Sequence, residues 1–138
     1  MLTQLPMPAT LLYCIAVSAV LIYLPFLWVG YARLQLSYDM SAPRAMFDKL
    51  PPYAQRAAWA HQNAFESFSL FAPAALMAYI TAQASTLALT LGIAYVIARL
   101  LYSVFYILNV PVLRSLMFAV GSTSIFALFF LSCRAAIQ

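Results

Sequence analysis

The chain is short of charge. Only ten of its 138 residues are Asp, Glu, Lys or Arg, which is 7%, against about 25% in an ordinary soluble domain. Ten charged groups cannot coat a water-soluble globule of this length. With 66% hydrophobic residues and a mean hydropathy of +0.93, the chain is equally unlike a disordered one, which needs low hydrophobicity and high charge. Three glycines leave no glycine-rich phosphate loop. One histidine, His61, and two cysteines, Cys14 and Cys133, match no metal spacing, and the lone histidine has no patterned Ser and acid partners for a hydrolase triad. The cysteines read as small apolar filler; both fall near the same membrane face in the topology below, which leaves a disulfide between them as the alternative. Basic residues are scattered singly, so the net charge of +4 is not the footprint of a nucleic-acid binder. The opening MLTQLPMPAT has no basic segment, and the apolar run behind it is too long for a cleaved signal; it reads as a retained first helix. No internal repeat, low-complexity tract or linker divides the sequence.

What is abundant is uninterrupted apolar sequence. A spanning helix takes about 20 residues, so four fit, at about 8–31, 54–82, 87–108 and 112–133, and no separate soluble domain has room. The expectation is one all-α domain, an integral membrane four-helix bundle. Pro8 suits a helix start, and Asn109-Val110-Pro111 stops the third span. Six of the ten charges, Arg33, Asp39, Arg44, Asp48, Lys49 and Arg56, gather in the first loop; Glu66, Arg99, Arg114 and Arg134 lie elsewhere. Positive residues mark the cytoplasmic side. That loop therefore faces the cytoplasm, and both termini face the opposite side.

Ionisable residues inside a bilayer are costly and usually face a partner or a cavity. Glu66 is ten residues past Arg56, and Arg99 is ten residues before Asn109 on a helix running the other way. Each lies roughly 15 Å deep at 1.5 Å per residue. The level placement predicts a Glu66–Arg99 ion pair. Arg56, Asn63 and Glu66 share one helical face, as do Arg99, Tyr102 and Tyr106, while Arg114 and Ser115 open the fourth span. His61 and Gln62 flank the first set, with His61 off the polar face in a packing or lipid-edge position. A purely structural reading stands beside this: a polar lock between helices, an interfacial belt for Tyr106 and a positive-inside anchor for Arg114. The functional reading is a site, open to the cytoplasm, for an anionic peptide-like small molecule. Guanidinium groups grip carboxylates bidentately, and Glu66 takes an amine or holds an arginine. An arginine beside a thiol lowers its pKa and favours the reactive thiolate.

The run Arg56-Ala-Ala-Trp-Ala-His-Gln-Asn63-Ala-Phe-Glu66 resembles the second-helix signature of the membrane-associated proteins in eicosanoid and glutathione metabolism, the MAPEG family. Ala98-Arg99-Leu-Leu-Tyr102-Ser-Val-Phe-Tyr106 and Pro111-Val-Leu-Arg114-Ser115 agree on the third and fourth helices, so the resemblance covers nearly the whole chain. It implies a homotrimer with glutathione between adjacent subunits near the cytoplasmic face. Arg56, Asn63, Glu66, Arg99, Tyr106 and Arg114 would contact glutathione or support its site, with Tyr102 on the same binding face. Arg33, closing the first helix, matches a further basic position. Arg114-Ser115 resembles the element that stabilises the glutathione thiolate in catalytic members. Two departures stand out: Trp59 and Gln62 occupy places where several eukaryotic relatives have arginines, and Phe118 one where some have Tyr.

The resemblance implies a membrane glutathione transferase or peroxidase acting on lipophilic electrophiles. The compact loops are similar to the bacterial branch, which implies an inner-membrane location with periplasmic termini. A non-catalytic lipid- or glutathione-binding protein of the same fold is the alternative, because the family contains one. A small transporter is disfavoured: the outer half of the bundle has no chain of ionisable residues, only Arg134 at its edge.

Overall fold

The computed structural model describes residues 7–37 and 39–138; the first six residues, and with them the start of the segment read as a retained helix, lie outside the described residues. Four long helices follow one another: α1 (Met7–Gln35), α2 (Pro52–Ile80), α3 (Thr86–Ile107) and α4 (Pro111–Ala136). A 3₁₀ segment, Pro43–Lys49, sits in the first loop. No strand occurs among the described residues.

The boundaries follow local chemistry. Pro52 and Pro111 sit at the starts of α2 and α4, where a missing N–H costs nothing and φ is already helical. Ser85 caps α3, its side chain accepting from the Ala88 N–H at 3.2 Å. Both α2 and α3 close with a left-handed residue, Ala82 (φ 51°) and Asn109 (φ 60°). At each end a six-residue bond returns the chain, Gln83 N–H to Ala78 O and Val110 N–H to Phe105 O, both 2.9 Å. This is the geometry that satisfies the last carbonyls of a helix.

Three helical stretches, Ala9–Gln35, Thr86–Ile107 and Pro111–Ala136, are long and apolar enough to cross a membrane. The second helix is as long as the first, 29 residues, yet stands outside that set. Gln55, Arg56, His61, Gln62, Asn63 and Glu66 crowd its first half and lower its hydropathy.

Helix α1 lies along α2, and α3 along α4, with α2 also touching both α3 and α4. Close approach is possible because α2 presents a row of small residues inward. Ala54, Ala57, Ala60, Ala64, Ala74, Ala75 and Ala78 are all buried, the kind of surface that lets helix backbones pack without large side chains between them. The principal core adds Leu11, Phe71, Tyr95 and Leu128. Phe71 and Tyr95 stack face to face, centroids 3.7 Å apart and 9° from parallel. A second, smaller core of Val29, Ala32, Leu50, Ala54 and Ala57 fixes the end of α1 and the first loop against the start of α2. Cys14 is buried and Cys133 exposed, and both are free thiols.

Candidate functional site

Within the polar half of α2, Asn63 faces α3, where it meets Arg99. This side chain is 5% exposed, held at the centre of the helices opposite Asn63. Its Nη2 donates to Asn63 Oδ1 at 3.0 Å. The guanidinium lies over the Tyr102 ring, 4.2 Å from the centroid, a distance at which ring quadrupole and cation attract. Tyr102 meets Tyr106 edge-on, centroids 5.5 Å apart, and the Arg114 guanidinium covers Tyr106 at 4.7 Å. One continuous chain of side chains, Asn63–Arg99–Tyr102–Tyr106–Arg114, thus links three helices. Its periodicity is the cause: 99, 102 and 106 recur at three and four residues, one stripe of α3, while Pro111 starts α4 so that Arg114 falls in its first turn.

Arg56 braces this arrangement from below. Its Nε donates to the Ile107 carbonyl at 3.0 Å, satisfying a carbonyl at the C-terminal end of α3 and placing positive charge where the helix dipole is negative. The carbonyl takes up this guanidinium N–H, which ties the start of α2 to the end of α3.

A cavity of about 410 Å³ opens beside the chain, lined by Trp59, Gln62, Asn63, Glu66, Tyr102 and Tyr106. That size lies within the ~300–1,000 Å³ of small-molecule clefts. Its wall offers a carboxylate, two amides and two phenols, with the Arg99 and Arg114 cations stacked on those same phenols. By charge, such a surface is complementary to an ammonium at Glu66 and to an anion near the arginines.

The Glu66–Arg99 ion pair expected from their depths does not form. Glu66 is exposed, and its Oε1 accepts from Gln62 Nε2 at 3.3 Å, while Arg99 binds the neutral Asn63 instead. Helical phase explains the difference. Three residues turn about 300°, so with Asn63 aimed at α3, Glu66 points about 60° away toward the open face.

Ser115 is exposed next to Arg114. Arg33 does not join the Tyr102–Tyr106 cavity. It lines a larger groove of about 890 Å³ between α1, the 3₁₀ segment and α2, with Arg44, Phe47 and His61, and its guanidinium lies 5.7 Å from the Phe26 ring centroid. Trp59, Gln62 and Glu66 border both spaces, so α2 divides them. Sequence reasoning sets Trp59 and Gln62 aside as departures from the eukaryotic pattern. Their signal is the spacing 59, 62, 66, a second stripe beside Asn63. His61 is half-buried among Tyr23, Phe26 and Phe65. Its Nδ1 lies 2.6 Å from the Ile22 carbonyl, which adds a tie to α1 near Pro25. A proline inside a helix removes one backbone donor and disturbs the preceding turn.

Among the described residues, no group of three or more His, Cys, Asp or Glu is placed to hold a metal ion. No curated protein and no solved structure matches the chain. The model of the MAPEG family matches residues 10–134, a span that includes nearly all of the four long helices and every residue of the cluster; with its three apolar helices long enough to cross a bilayer, the chain is an integral membrane protein and belongs to the MAPEG family.

Proposed function

We propose that this protein is a membrane glutathione transferase, with peroxidase activity toward lipid hydroperoxides as a variant of the same chemistry. The observation that carries the reading is the Asn63–Arg99–Tyr102–Tyr106–Arg114 chain bordering a cavity of about 410 Å³, in a family whose members generally use glutathione. Glu66 and Gln62 receive the glutathione ammonium and a peptide group, and Asn63 keeps Arg99 in place. Tyr102 and Tyr106 form the floor. Arg114 stabilises the thiolate, whose sulfur is the nucleophile, and Ser115 beside it offers a hydroxyl donor. A lipophilic electrophile arrives from the bilayer.

The same reading makes α2 the fourth crossing. Its polar first half is tolerable in a membrane where it faces neighbouring helices and a cavity in place of lipid. The exposed Glu66, Gln62 and Trp59, and the position of Arg33 across α2 from Tyr106, fit a site completed by a neighbouring subunit. A homotrimer supplies one. The basic first loop, with Arg33, Arg44, Lys49 and Arg56, orients the site to the cytoplasm. The location proposed is a bacterial inner membrane, with periplasmic termini.

Glutathione conjugation by the Arg114→Ala protein tests the mechanism. The rate is expected to fall at least tenfold, with the loss growing as pH drops and less thiolate forms. A full wild-type rate would remove Arg114 from the chemistry.

One feature favours a second reading. Apolar side chains, Phe26, Val29, Phe47, Phe65 and Trp59 among them, make up seven of the twelve residues that line the larger groove, a surface suited to a lipid chain. A non-catalytic lipid- or glutathione-binding protein would show binding with no turnover across a panel of electrophiles.

A further inference from the structure

The larger groove, of about 890 Å³, is apolar along its walls and basic at its mouth. Arg33, in the last turn of α1, and Arg44, in the 3₁₀ segment, line it at the loop end. Arg44 is exposed, and no hydrogen bond or ion pair among the described residues engages it. The loop carboxylates Asp39 and Asp48 do not line the groove, and Asp39 is bonded to Ser41. Glu66, the one acid that does, lies fourteen residues into α2 from Pro52, roughly 20 Å along the axis, and is bonded to Gln62. No lining carboxylate offsets the charge at the mouth.

The groove also has the right level and length. Trp28 and Tyr53 meet edge to face, centroids 6.5 Å apart, near the loop ends of α1 and α2, and such aromatics mark the headgroup level of a bilayer. Arg33 lies five residues beyond Trp28 toward the loop. From there the groove descends past Phe47 and Phe26 to Phe65, thirteen residues into α2. That run of roughly 20 Å is the depth of one leaflet, half of the ~40–45 Å of a whole bilayer.

We propose that this groove binds one anionic phospholipid from the leaflet that the first loop faces, its phosphate at Arg44 and Arg33 and an acyl chain along Phe26, Phe47, Phe65 and Trp59. Guanidinium groups grip phosphate oxygens in pairs, and basic pockets between spanning helices hold acidic headgroups. Net charge selects the ligand: a zwitterionic headgroup brings its own ammonium to the same two cations and is held less well. The inference rests on the lipid reading of this groove and needs neither glutathione nor turnover, so its failure leaves the glutathione reading where it stands.

Trp59 walls the groove and reports its occupant, because bromine on an acyl chain quenches a tryptophan that it touches. The full-length Trp28→Phe protein keeps Trp59 as its single tryptophan. It is reconstituted in vesicles of phosphatidylcholine and phosphatidylglycerol, with bromine on the chains of one lipid or the other. At equal mole fraction, brominated phosphatidylglycerol is expected to quench Trp59 at least twofold more than brominated phosphatidylcholine. Arg44→Gln should abolish that excess, and Arg134→Gln, at the far end of α4, should keep it. Equal quenching by the two headgroups overturns the proposal, and is the result where a second copy of the chain covers the groove. An excess that survives Arg44→Gln overturns it as well. A fatty acid that removes the excess at equal mole fraction assigns the groove to free acids and has the same consequence.

Discussion

Arg99 Nη2 donates to Asn63 Oδ1 at 3.0 Å, so a buried guanidinium on α3 is held by a neutral amide on α2. The nearby carboxylate of Glu66 takes its hydrogen bond from Gln62 on its own helix. Removing one partner of a buried charged hydrogen bond leaves the other desolvated without compensation. Asn63→Ala is therefore expected to lower stability by about 2–3 kcal/mol, and Asn63→Asp to retain much of it by offering Arg99 an acceptor of opposite charge. Glu66→Ala is expected to change stability by less than about 0.5 kcal/mol, as for an ordinary exposed residue. Thermal melts of the three variants check this ordering. A Glu66→Ala protein as unstable as Asn63→Ala would restore the ion pair expected from depth alone.

The end of α2 carries a local misfit. Ala82 adopts φ 51° to close the helix, a conformation that costs an L-residue with a Cβ roughly 1–2 kcal/mol and that glycine adopts freely. Ala82→Gly is expected to stabilise the protein by about 1 kcal/mol. Asn109 occupies the matching place after α3 at φ 60°, and asparagine tolerates it better. Asn109→Gly should gain less, and a comparison of the two melting shifts tests the assignment.

In the first loop, Asp39 Oδ1 accepts from the Ser41 N–H at 2.9 Å and from the Ser41 hydroxyl at 2.6 Å. These bonds favour the ionised form and hold the carboxyl below the usual aspartate range. The folded value lies below the unfolded one, so the contribution of this turn is fully present above the ordinary aspartate pKa and fades as pH falls through the depressed value. In Ser41→Ala the Asp39 carboxyl, followed by NMR, should titrate higher than in the wild type. An unchanged titration would mean that the turn does not form.

Much of this organisation is legible in the sequence, for physical reasons that differ by feature. Low charge and long apolar runs specify a membrane protein, and the Asn109-Val110-Pro111 stop lies where α3 ends and α4 begins. The 3₁₀ segment Pro43–Lys49 is not legible, because loop charges carry no periodicity. At the site, spacing puts Arg99, Tyr102 and Tyr106 on one stripe of α3, and their side chains meet along it. Depth, however, sets only height along a helix, and rotation decides partners: Asn63 and Glu66 are one turn apart, yet only Asn63 faces Arg99. The separation of Arg33 from Tyr106 by α2 is a tertiary fact that no local pattern encodes.

In the proposed function, glutathione occupies the cavity bounded by Asn63, Glu66, Tyr102 and Tyr106, next to Arg114. The most direct test of that placement is the thermal unfolding of detergent-purified protein with glutathione, glutathione disulfide and an S-alkyl glutathione. Binding at 100 times the dissociation constant adds about 2.7 kcal/mol of stability. A clear rise in melting temperature is expected with glutathione, lost in Arg114→Ala and in Tyr106→Ala. No rise with any of the three compounds, in a protein that melts cooperatively, would contradict it.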